Sequence, residues 1–387
     1  MDIVYLDHAA SSWPKPPQVI EAMAECVREY AANPGRGAHR MSLSASRVLF
    51  ETRCNLARLF GVGNPNDIVF ASNASEALNL AIKGFVKSGQ HVVTTSLEHN
   101  SVRRPLEYVK RKIGADVTYV PADRAGRIDV KRLEAALTPR TSLIVCSHAS
   151  NLLGSIVPVE DIAEVARRHG ARLLVDAAQT AGTYPIDIEK MGIDMLAFPG
   201  HKGLLGPQGT GGLYIAPDLE IDPLIHGGTG SRSEEPGMPS VRPDRYEAGT
   251  RNTPGIAGLN EGVKIILHET VETIHTKERK LTERLMEGLS RLPGLEILGP
   301  KAGEDRAGIV SFVLQGAESS EVADMLDKKY GIAVRAGWHC APLAHETAGT
   351  LETGAVRASV GYYTTESDVD RLIEAMEEIG HHYRNRN

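Results

Sequence analysis

The chain has 387 residues, of which 42% are hydrophobic and 24% charged, a composition typical of a globular protein with two or three domains. Its formal net charge of -6 provides no basic surface, so we do not expect nucleic acid as a partner. No apolar run is long enough to span a membrane, and MDIVYLDHAA lacks the layout of a signal peptide. The four cysteines are scattered without a CxxC pair, which disfavours disulfides or a zinc site and favours a cytoplasmic location.

Residues 66–215 alternate short apolar runs with amphipathic stretches. The runs that are rich in β-branched residues predict strands: DIVFAS, HVVTTS, DVTYVPA, SLIVCSHAS, RLLVDAAQ, DMLAFPG and GGLYIA. Helical periodicity occurs between them, in SEALNLAIKGFV, SVRRPLEYVKRKIG and PVEDIAEVARRHG. Because most of the strands are continuously apolar, we predict an α/β fold whose mainly parallel sheet is buried on both faces.

The remainder of the chain is organised differently. Residues 215–255 are rich in Gly, Pro, Ser and Arg and predict an extended connection, which is followed by one long helical run over residues 255–292. A smaller α+β unit comes next and ends with a helix from Ser367. We therefore predict a large domain at residues 16–255, a small domain at residues 256–387, and a segment at residues 1–15 that packs on the small domain.

Polar residues follow several predicted strands, at the edge where ligands of open α/β sheets bind. They are His99 after HVVTTS, Asn151 after SLIVCSHAS, Asp176 and Gln179 at the end of RLLVDAAQ, and His201 and Lys202 after DMLAFPG. Ser75 is expected to be the N-cap of SEALNLAIKGFV, where free backbone amides and the helix dipole suit a phosphate.

A phosphate site, a carboxylate, a lysine and an imidazole at one sheet edge are the groups that pyridoxal phosphate requires. The lysine holds this cofactor as a Schiff base, and the carboxylate keeps the ring nitrogen protonated so that the ring accepts electrons. Taken singly, each residue also has a structural interpretation, such as a solvated lysine, a loop cap or a buried histidine. The glycine-rich GPQGTGG leads into a strand and not a helix, which disfavours a dinucleotide site.

RAGWHC, at residues 335–340, is the second chemical feature. Cys340 lies in a stretch without periodicity that runs to Gly354, which predicts a mobile loop carrying a thiol. The alternative is a small buried apolar residue, as expected for the other three cysteines. His339 has no paired His or Cys at a ligand spacing, so no metal is expected.

These segments together resemble the cysteine desulfurase branch of the class V aminotransferases, which are fold-type I pyridoxal-phosphate enzymes. The resembling segments, in family order, are YLDHAASS, NPGRGAHRMS, SEALNLA, LEHNS, ASNLLGS, VDAAQ, GHKGLLGPQGTGGLY, EAGTRNT, RAGWHCA and VRASVGYYTTESDVD. The cysteine of RAGWHC favours desulfurases over the aminotransferases and epimerases of this class. The short distance along the chain between Cys340 and Arg357 resembles that in the SUF-type group of this family.

The resemblance implies a role for each matching residue around the cofactor. Lys202 would form the Schiff base and move protons, and Cys340 would be the nucleophile. Asp176 would pair with the ring nitrogen and Gln179 with the ring hydroxyl. His99 would stack on the ring and assist proton transfer.

The phosphate would be held by Ala74, Ser75 and His201, with Thr250 reaching it from the second subunit of a homodimer. Pro199 stands where relatives usually carry a serine or threonine, and Asn73 and Ala74 replace the usual glycine and threonine. The resemblance therefore implies a phosphate held by fewer hydroxyl groups.

The resemblance also implies the reaction, in which L-cysteine becomes L-alanine and its sulfur is kept as a persulfide on Cys340 for an acceptor protein. Asn151 and Arg357 would bind the substrate carboxylate, and His39 and Arg335 would line its pocket. A selenocysteine lyase, another class V lyase or aminotransferase, and a non-catalytic protein on the same fold are the alternatives. The acceptor and its product, whether iron–sulfur clusters, thiolated tRNA or another, stay open.

Overall fold

A seven-stranded sheet forms the centre of the fold in the computed structural model, which describes residues 3–35 and 37–384. Arg36 of NPGRGAHRMS lies outside the described residues. After a short strand β1 (Val4–Tyr5), the strands of the sheet follow in chain order: β2 (Ile68–Ala71), β3 (His91–Thr95), β4 (Asp116–Val120), β5 (Thr141–Ser147), β6 (Arg172–Asp176), β7 (Met195–Pro199) and β8 (Gly211–Ile215).

The strand order is β2-β8-β7-β6-β5-β3-β4, and β8 is antiparallel to both of its neighbours. The strands from β7 to β4 are parallel. Strand β8 reverses direction because only residues 200–210, without a helix, connect it to β7, whereas a parallel neighbour needs a crossover. The predicted α/β fold with a mainly parallel sheet is confirmed.

Helices connect and cover these strands. They are α1 (Pro17–Glu25), α2 (Arg40–Phe60), α3 (Ala74–Phe85), α4 (Asn100–Tyr108), α5 (Val130–Ala135), α6 (Val159–Arg168) and α7 (Ile188–Met191). The N-cap predicted at Ser75 is wrong, because α3 begins at Ala74 and the Asn73 side chain caps it. Asn73 is extended, and its Oδ1 accepts the Glu76 amide over 2.9 Å. Ser75 therefore lies in the first turn of α3, and its hydroxyl is not the cap of this helix.

The long helical run predicted after residue 255 is two helices, α8 (Thr253–Glu269) and α9 (Val271–Ser290). Thr270 separates them because its φ of 71° is left-handed and ends α8. Its side chain then accepts the Thr273 amide over 3.3 Å as the N-cap of α9.

The C-terminal part consists of β9 (Leu295–Ile297), β10 (Ile309–Leu314), α10 (Ser319–Tyr330), β11 (Ile332–Ala333), β12 (Arg335–Gly337), α11 (Pro342–Ala348), β13 (Ala355–Ser359) and α12 (Glu366–Arg384). Four strands form an antiparallel sheet in the order β12-β13-β10-β9. Strand β1 pairs in parallel with β11, which brings residues 4–5 to this part of the molecule.

Buried apolar side chains form two main clusters. The larger surrounds the seven-stranded sheet and includes Leu259 and Val263 of α8. The smaller includes Val4 and Leu6 together with side chains of α9, β10, α10, β13 and α12. The domain boundaries at residues 15 and 255 stay a prediction. Over the described residues, no helix combines the length and apolarity that crossing a membrane requires.

Candidate active site

A cavity lies at the carboxyl ends of the parallel strands. Every predicted site residue except His39 and Thr250 lines it: Ala74, Ser75, His99, Asn151, Asp176, Gln179, His201, Lys202, Arg335, Cys340 and Arg357. The strand ends bring these residues together although they are spread over more than two thirds of the chain. The cavity is therefore the candidate active site.

The glycines around Lys202 allow the backbone to pack closely at the end of β7. A Cβ atom at Gly200 would overlap the hydroxyl of Thr210, and one at Gly203 would overlap the carbonyl oxygen of Ala181. Glycine is required at both positions because the neighbouring groups leave no space for a side chain. This packing fixes the backbone from which the Lys202 side chain enters the cavity.

The surroundings of Lys202 favour the neutral form of its amine, which is the form that reacts as a base or nucleophile. Burial and, next, the Arg357 guanidinium lower the pKa of Lys202 to about 8, against the opposite effect of Asp176. Among the residues that the structure describes, the amine has no hydrogen-bond partner. A substantial fraction is therefore neutral near physiological pH, as Schiff-base chemistry requires.

His99 has a defined tautomer. It is the N-cap of α4, and its Nδ1 accepts the Ser101 amide over 3.0 Å, so in the neutral ring the proton is on Nε2. Burial and the positive charge of Lys202 lower its pKa to about 4, which keeps the ring neutral. The Ser101 hydroxyl lies 2.9 Å from His99 Nδ1 and 2.6 Å from the Ser75 hydroxyl. Ser101 thus joins the His99 ring to Ser75 in the first turn of α3.

Asp176 is buried at the end of β6. Its Oδ1 accepts the Ala178 amide over 2.9 Å. Burial raises the pKa of Asp176, while this hydrogen bond and Lys202 act in the opposite direction. A cationic ring nitrogen against this carboxyl would stabilise its ionised form. Gln179, three residues on, donates to the carbonyl of Ala9 over 3.2 Å.

His201 connects the cavity to the terminal segment. Its carbonyl oxygen accepts the Ser12 amide over 2.9 Å and the Lys15 ammonium over 3.0 Å. Burial, followed by the charge of Lys202, lowers the pKa of His201 to about 4. The buried Nδ1 atom of its ring has no partner in the described part of the chain.

Arg357 and Asn151 form a second polar group in the cavity. The guanidinium of Arg357 is 2% exposed, forms an ion pair of 3.0 Å with Asp7, and donates to the Asn151 carbonyl over 3.0 Å. The Asn151 amide donates to the His339 carbonyl over 2.7 Å. Arg357 Nε and Asn151 Oδ1 are buried without partners among the described residues.

Cys340 is exposed at the opening of the cavity, on a strained backbone. His339 and Cys340 have φ values of 50° and 55°, a left-handed conformation that costs a non-glycine residue about 1–3 kcal/mol. The loop predicted up to Gly354 is wrong, because α11 begins at Pro342. The helix forms there because Ala344, with Ala341 and Ala348 beside it, packs against the larger core. Cys340 is thus held next to an anchored helix.

Comparison with known proteins agrees with this geometry. The sequence model of the family described as aminotransferase class-V matches residues 4–372. A probable cysteine desulfurase of Methanothermobacter thermautotrophicus is 39% identical over 98% of this chain and 95% of its own length. A probable cysteine desulfurase of Pyrococcus abyssi is 37% identical over 98% of this chain and 94% of its own.

Two solved structures are also similar to this chain. The apo cysteine desulfurase of Thermococcus onnurineus NA1 superimposes with a TM-score of 0.92 at 36% identity, covering 98% of this chain and 94% of that one. The S-sulfonic acid form of the cysteine desulfurase CsdA from Escherichia coli has a TM-score of 0.88 at 28% identity, covering 97% and 94%.

The chain belongs to the cysteine desulfurase family of class V aminotransferases. Two of the residues predicted for a cysteine desulfurase lie outside the cavity. His39 is exposed and caps α2 by accepting the Ser42 amide over 3.4 Å. Thr250 is exposed and lines a different cavity, together with Gly35 and Ser46. A single chain does not bring these two residues to Lys202, so their roles stay predictions.

Two residues of this cysteine desulfurase site were not predicted from the sequence. Ser101 lies two residues after His99, where its hydroxyl contacts both the His99 ring and the Ser75 hydroxyl. Glu98, which is fully buried, accepts the Ser147 hydroxyl over 2.8 Å and the Thr95 hydroxyl over 2.6 Å behind the cavity. Glu98 could have been recognised from the sequence, because an acidic residue directly after an apolar strand is unusual.

Proposed function

We propose that this protein is a pyridoxal-phosphate-dependent cysteine desulfurase that converts L-cysteine to L-alanine and holds the sulfur as a persulfide on Cys340. The observation that carries the proposal is that Lys202 and Cys340 line one cavity together with Arg357. An amine with a lowered pKa, an accessible thiol and a carboxylate-binding guanidinium are the three groups that the reaction needs.

The residues of the cavity fit the cofactor. Asp176 would pair with its ring nitrogen, Gln179 with its ring hydroxyl, and His99 would stack on the ring. The free amides of α3, with Ala74, Ser75 and His201 around them, would hold the phosphate. The unpartnered Nδ1 of His201 supports this assignment, because buried polar atoms normally have partners.

When bound through Lys202, pyridoxal phosphate supplies an electron sink that stabilises negative charge at the substrate Cα. Arg357 and Asn151, which line the cavity, would bind the substrate carboxylate, and Arg335 adds positive charge beside them. Once the substrate amine has released the Lys202 amine, this amine removes the proton from Cα. Its lowered pKa favours the neutral form needed for this step.

Cys340 then accepts the sulfur. Its thiolate forms an S–S bond with the substrate sulfur while the substrate C–S bond breaks, and the C–S electron pair stays on Cβ. A proton delivered to Cβ and the return of a proton to Cα complete L-alanine, and both Lys202 and His99 Nε2–H line the cavity from which these protons come. Cys340 and Trp338 are exposed, with Trp338 at 57%, so an acceptor protein can reach the persulfide.

We further propose a homodimer. Exposed apolar side chains are concentrated on the terminal segment, α1 and α2, namely Trp13, Ile20, Met41, Leu43 and Phe50. His39 and Thr250 lie outside the cavity of their own chain, and a second subunit against this surface can use them. Sedimentation at micromolar concentration tests the dimer. All four cysteines are free, which supports a cytoplasmic location.

The decisive experiment uses the cofactor-loaded protein and L-cysteine. We expect alanine release, and one additional sulfur atom on Cys340 by mass spectrometry. Cys340→Ser should abolish alanine release from cysteine, Lys202→Ala should abolish both readouts, and the control Cys54→Ser should keep both. Alanine release by Cys340→Ser would instead indicate a lyase, and an unchanged Lys202→Ala would indicate a protein without this chemistry. The similar proteins described above do not favour a selenocysteine lyase.

A further inference from the structure

A row of three buried side chains lies next to Cys340. Nδ1 of His339 is 3.3 Å from Nε2 of His345, and Nδ1 of His345 is 2.8 Å from the Thr350 hydroxyl. The other ring nitrogen of His339, Nε2, is 3.2 Å from the carbonyl oxygen of Arg335. His345 is fully buried, and His339 and Thr350 are each 5% exposed. The row therefore links the residue before the nucleophile to α11 and to the residue that follows this helix.

The carbonyl oxygen of Arg335, at one end of this row, determines the direction of each hydrogen bond in it. A carbonyl oxygen only accepts, so Nε2 of His339 carries a proton and donates to Arg335. In a neutral ring Nδ1 of His339 is then an acceptor, and Nε2 of His345 must donate to it. Nδ1 of His345 is therefore an acceptor in turn, and the Thr350 hydroxyl donates to it.

Both rings are neutral in this environment. Burial, followed by Arg357, lowers the pKa of His339 to about 3, and burial also lowers the pKa of His345. A proton added to Nδ1 of His339 would place two donors opposite each other within the row. With both rings neutral, only one arrangement of protons satisfies all three hydrogen bonds, so the row holds the His339 ring in a single orientation.

The His339 ring in turn supports the backbone that carries Cys340. The carbonyl of His339 is held by the Asn151 amide over 2.7 Å, and the carbonyl of Cys340 accepts the Asn100 amide over 2.8 Å. His339 and Cys340 are both left-handed, a conformation that persists in non-glycine residues only when the surroundings impose it. The hydrogen bonds that link His339, His345 and Thr350 supply part of that restraint.

We propose that His345 is a positioning residue for sulfur transfer, which acts through His339 to orient Cys340 toward the substrate, with Thr350 holding the His345 ring from the other side. The proposal rests on the proposed desulfurase function. Removing the donor at His345 leaves Nδ1 of His339 without a partner and frees the ring to rotate. The Lys202 step is not affected, because neither His345 nor Thr350 lines the cavity that contains Lys202.

The experiment separates the two partial reactions of the cofactor-loaded enzyme. Exchange of the Cα hydrogen of L-alanine in D2O, followed by NMR, requires Lys202 but no sulfur transfer. Persulfide formation on Cys340 from L-cysteine, followed by mass spectrometry, requires both. His345→Leu should slow persulfide formation about tenfold, as loss of one buried hydrogen bond predicts, and should leave the exchange rate within about twofold.

His345→Gln keeps an N–H donor that can reach His339 and should restore most of the persulfide rate. Thr350→Val should slow persulfide formation to a smaller extent, because it removes the hydrogen bond to Nδ1 of His345 but leaves the one between His345 and His339. The control Glu346→Gln changes an exposed residue of the same helix and should alter neither rate. Amide hydrogen exchange of peptides covering residues 338–341 should be faster in His345→Leu than in the control.

Equal loss of both partial reactions in His345→Leu would show a general structural role and overturn the proposal. Unchanged persulfide formation in His345→Leu, or in Thr350→Val if the leucine variant does not fold, would overturn it as well. A wild-type enzyme that exchanges the Cα hydrogen but forms no persulfide would instead remove the proposed desulfurase function, on which the positioning role rests.

Discussion

The side-chain amide of Asn151 donates to the backbone carbonyl of His339 over 2.7 Å, which joins the substrate-binding side of the cavity to the nucleophile segment. The carbonyl of Asn151 itself accepts from Arg357 over 3.0 Å. Two hydrogen bonds therefore connect Arg357, which is proposed to bind the substrate carboxylate, to His339, the residue before Cys340. A substrate carboxylate that displaces Asn151 therefore also acts on the backbone of His339, next to Cys340.

Asn151→Leu tests this connection. It leaves the buried carbonyl of His339 without a donor, so we expect the free energy of unfolding to fall by about 1–3 kcal/mol. Persulfide formation should slow and the KM for L-cysteine should rise. Asn55→Leu removes a comparable bond of 2.8 Å to Asn260, outside the cavity, and should lower stability without changing the persulfide rate. Equal kinetic effects in the two variants would contradict the connection.

The pKa of Lys202 predicts how the apo protein takes up its cofactor. Because only the neutral amine forms an imine and its pKa is about 8, the rate of uptake should rise about fivefold from pH 7 to pH 8 and then level off. The absorbance of the imine after addition of pyridoxal phosphate measures this rate. A rate that continues to rise up to pH 10 would mean that Lys202 has an ordinary pKa. Arg357→Met should shift the profile to higher pH.

Glu98 makes stability depend on pH. Burial raises the pKa of Glu98 from 4.5 to about 7, so the folded protein binds a proton there that the unfolded chain has released between these values. Stability from this group is complete below pH 4.5 and is lost as the pH rises to 7, by on the order of 3 kcal/mol. Urea unfolding at pH 5 and pH 8 should show this loss, and Glu98→Gln should reduce it. An identical pH dependence in the two proteins would exclude Glu98 as its source.

Gly200→Ala should disturb the backbone next to Lys202. The added methyl group overlaps the Thr210 hydroxyl, so we expect a loss of about 1–3 kcal/mol in the free energy of unfolding and weaker cofactor retention. Thr210→Ala in the same chain should recover part of the loss, because it removes the overlapping atom. Gly63→Ala, where a Cβ meets nothing within 4 Å, is the control. Additive effects of the Gly200 and Thr210 substitutions would argue against a direct clash.

The sheet and its polar edge could be predicted because continuous apolar strands and the residues that follow them are local patterns. The predicted N-cap at Ser75 was wrong by two residues, since both Asn73 and Ser75 suit that position and backbone geometry decides between them. The break at Thr270 is equally invisible in a sequence whose helical periodicity continues across it.

The segment after Cys340 was the least predictable part of the site. Its alanines carry little periodic signal, and α11 forms because they pack against a core built from residues distant in sequence. The role of His345 depends on its distance from His339, and no spacing rule for histidines anticipates it. In contrast, Arg357 was found from the resemblance, and the structure places it in the cavity with Lys202.

The pairing of β1 with β11 and the ion pair between Asp7 and Arg357 have a consequence for synthesis of the enzyme. Asp7 and Arg357 leave the ribosome about 350 residues apart, and contacts between residues so distant in sequence form late in folding. A nascent chain released before residue 357 lacks Arg357, the group proposed to bind the substrate carboxylate, and one released before residue 340 also lacks the thiol of Cys340. Premature termination before residue 357 therefore leaves the cavity incomplete, because Arg357 is among the residues that line it.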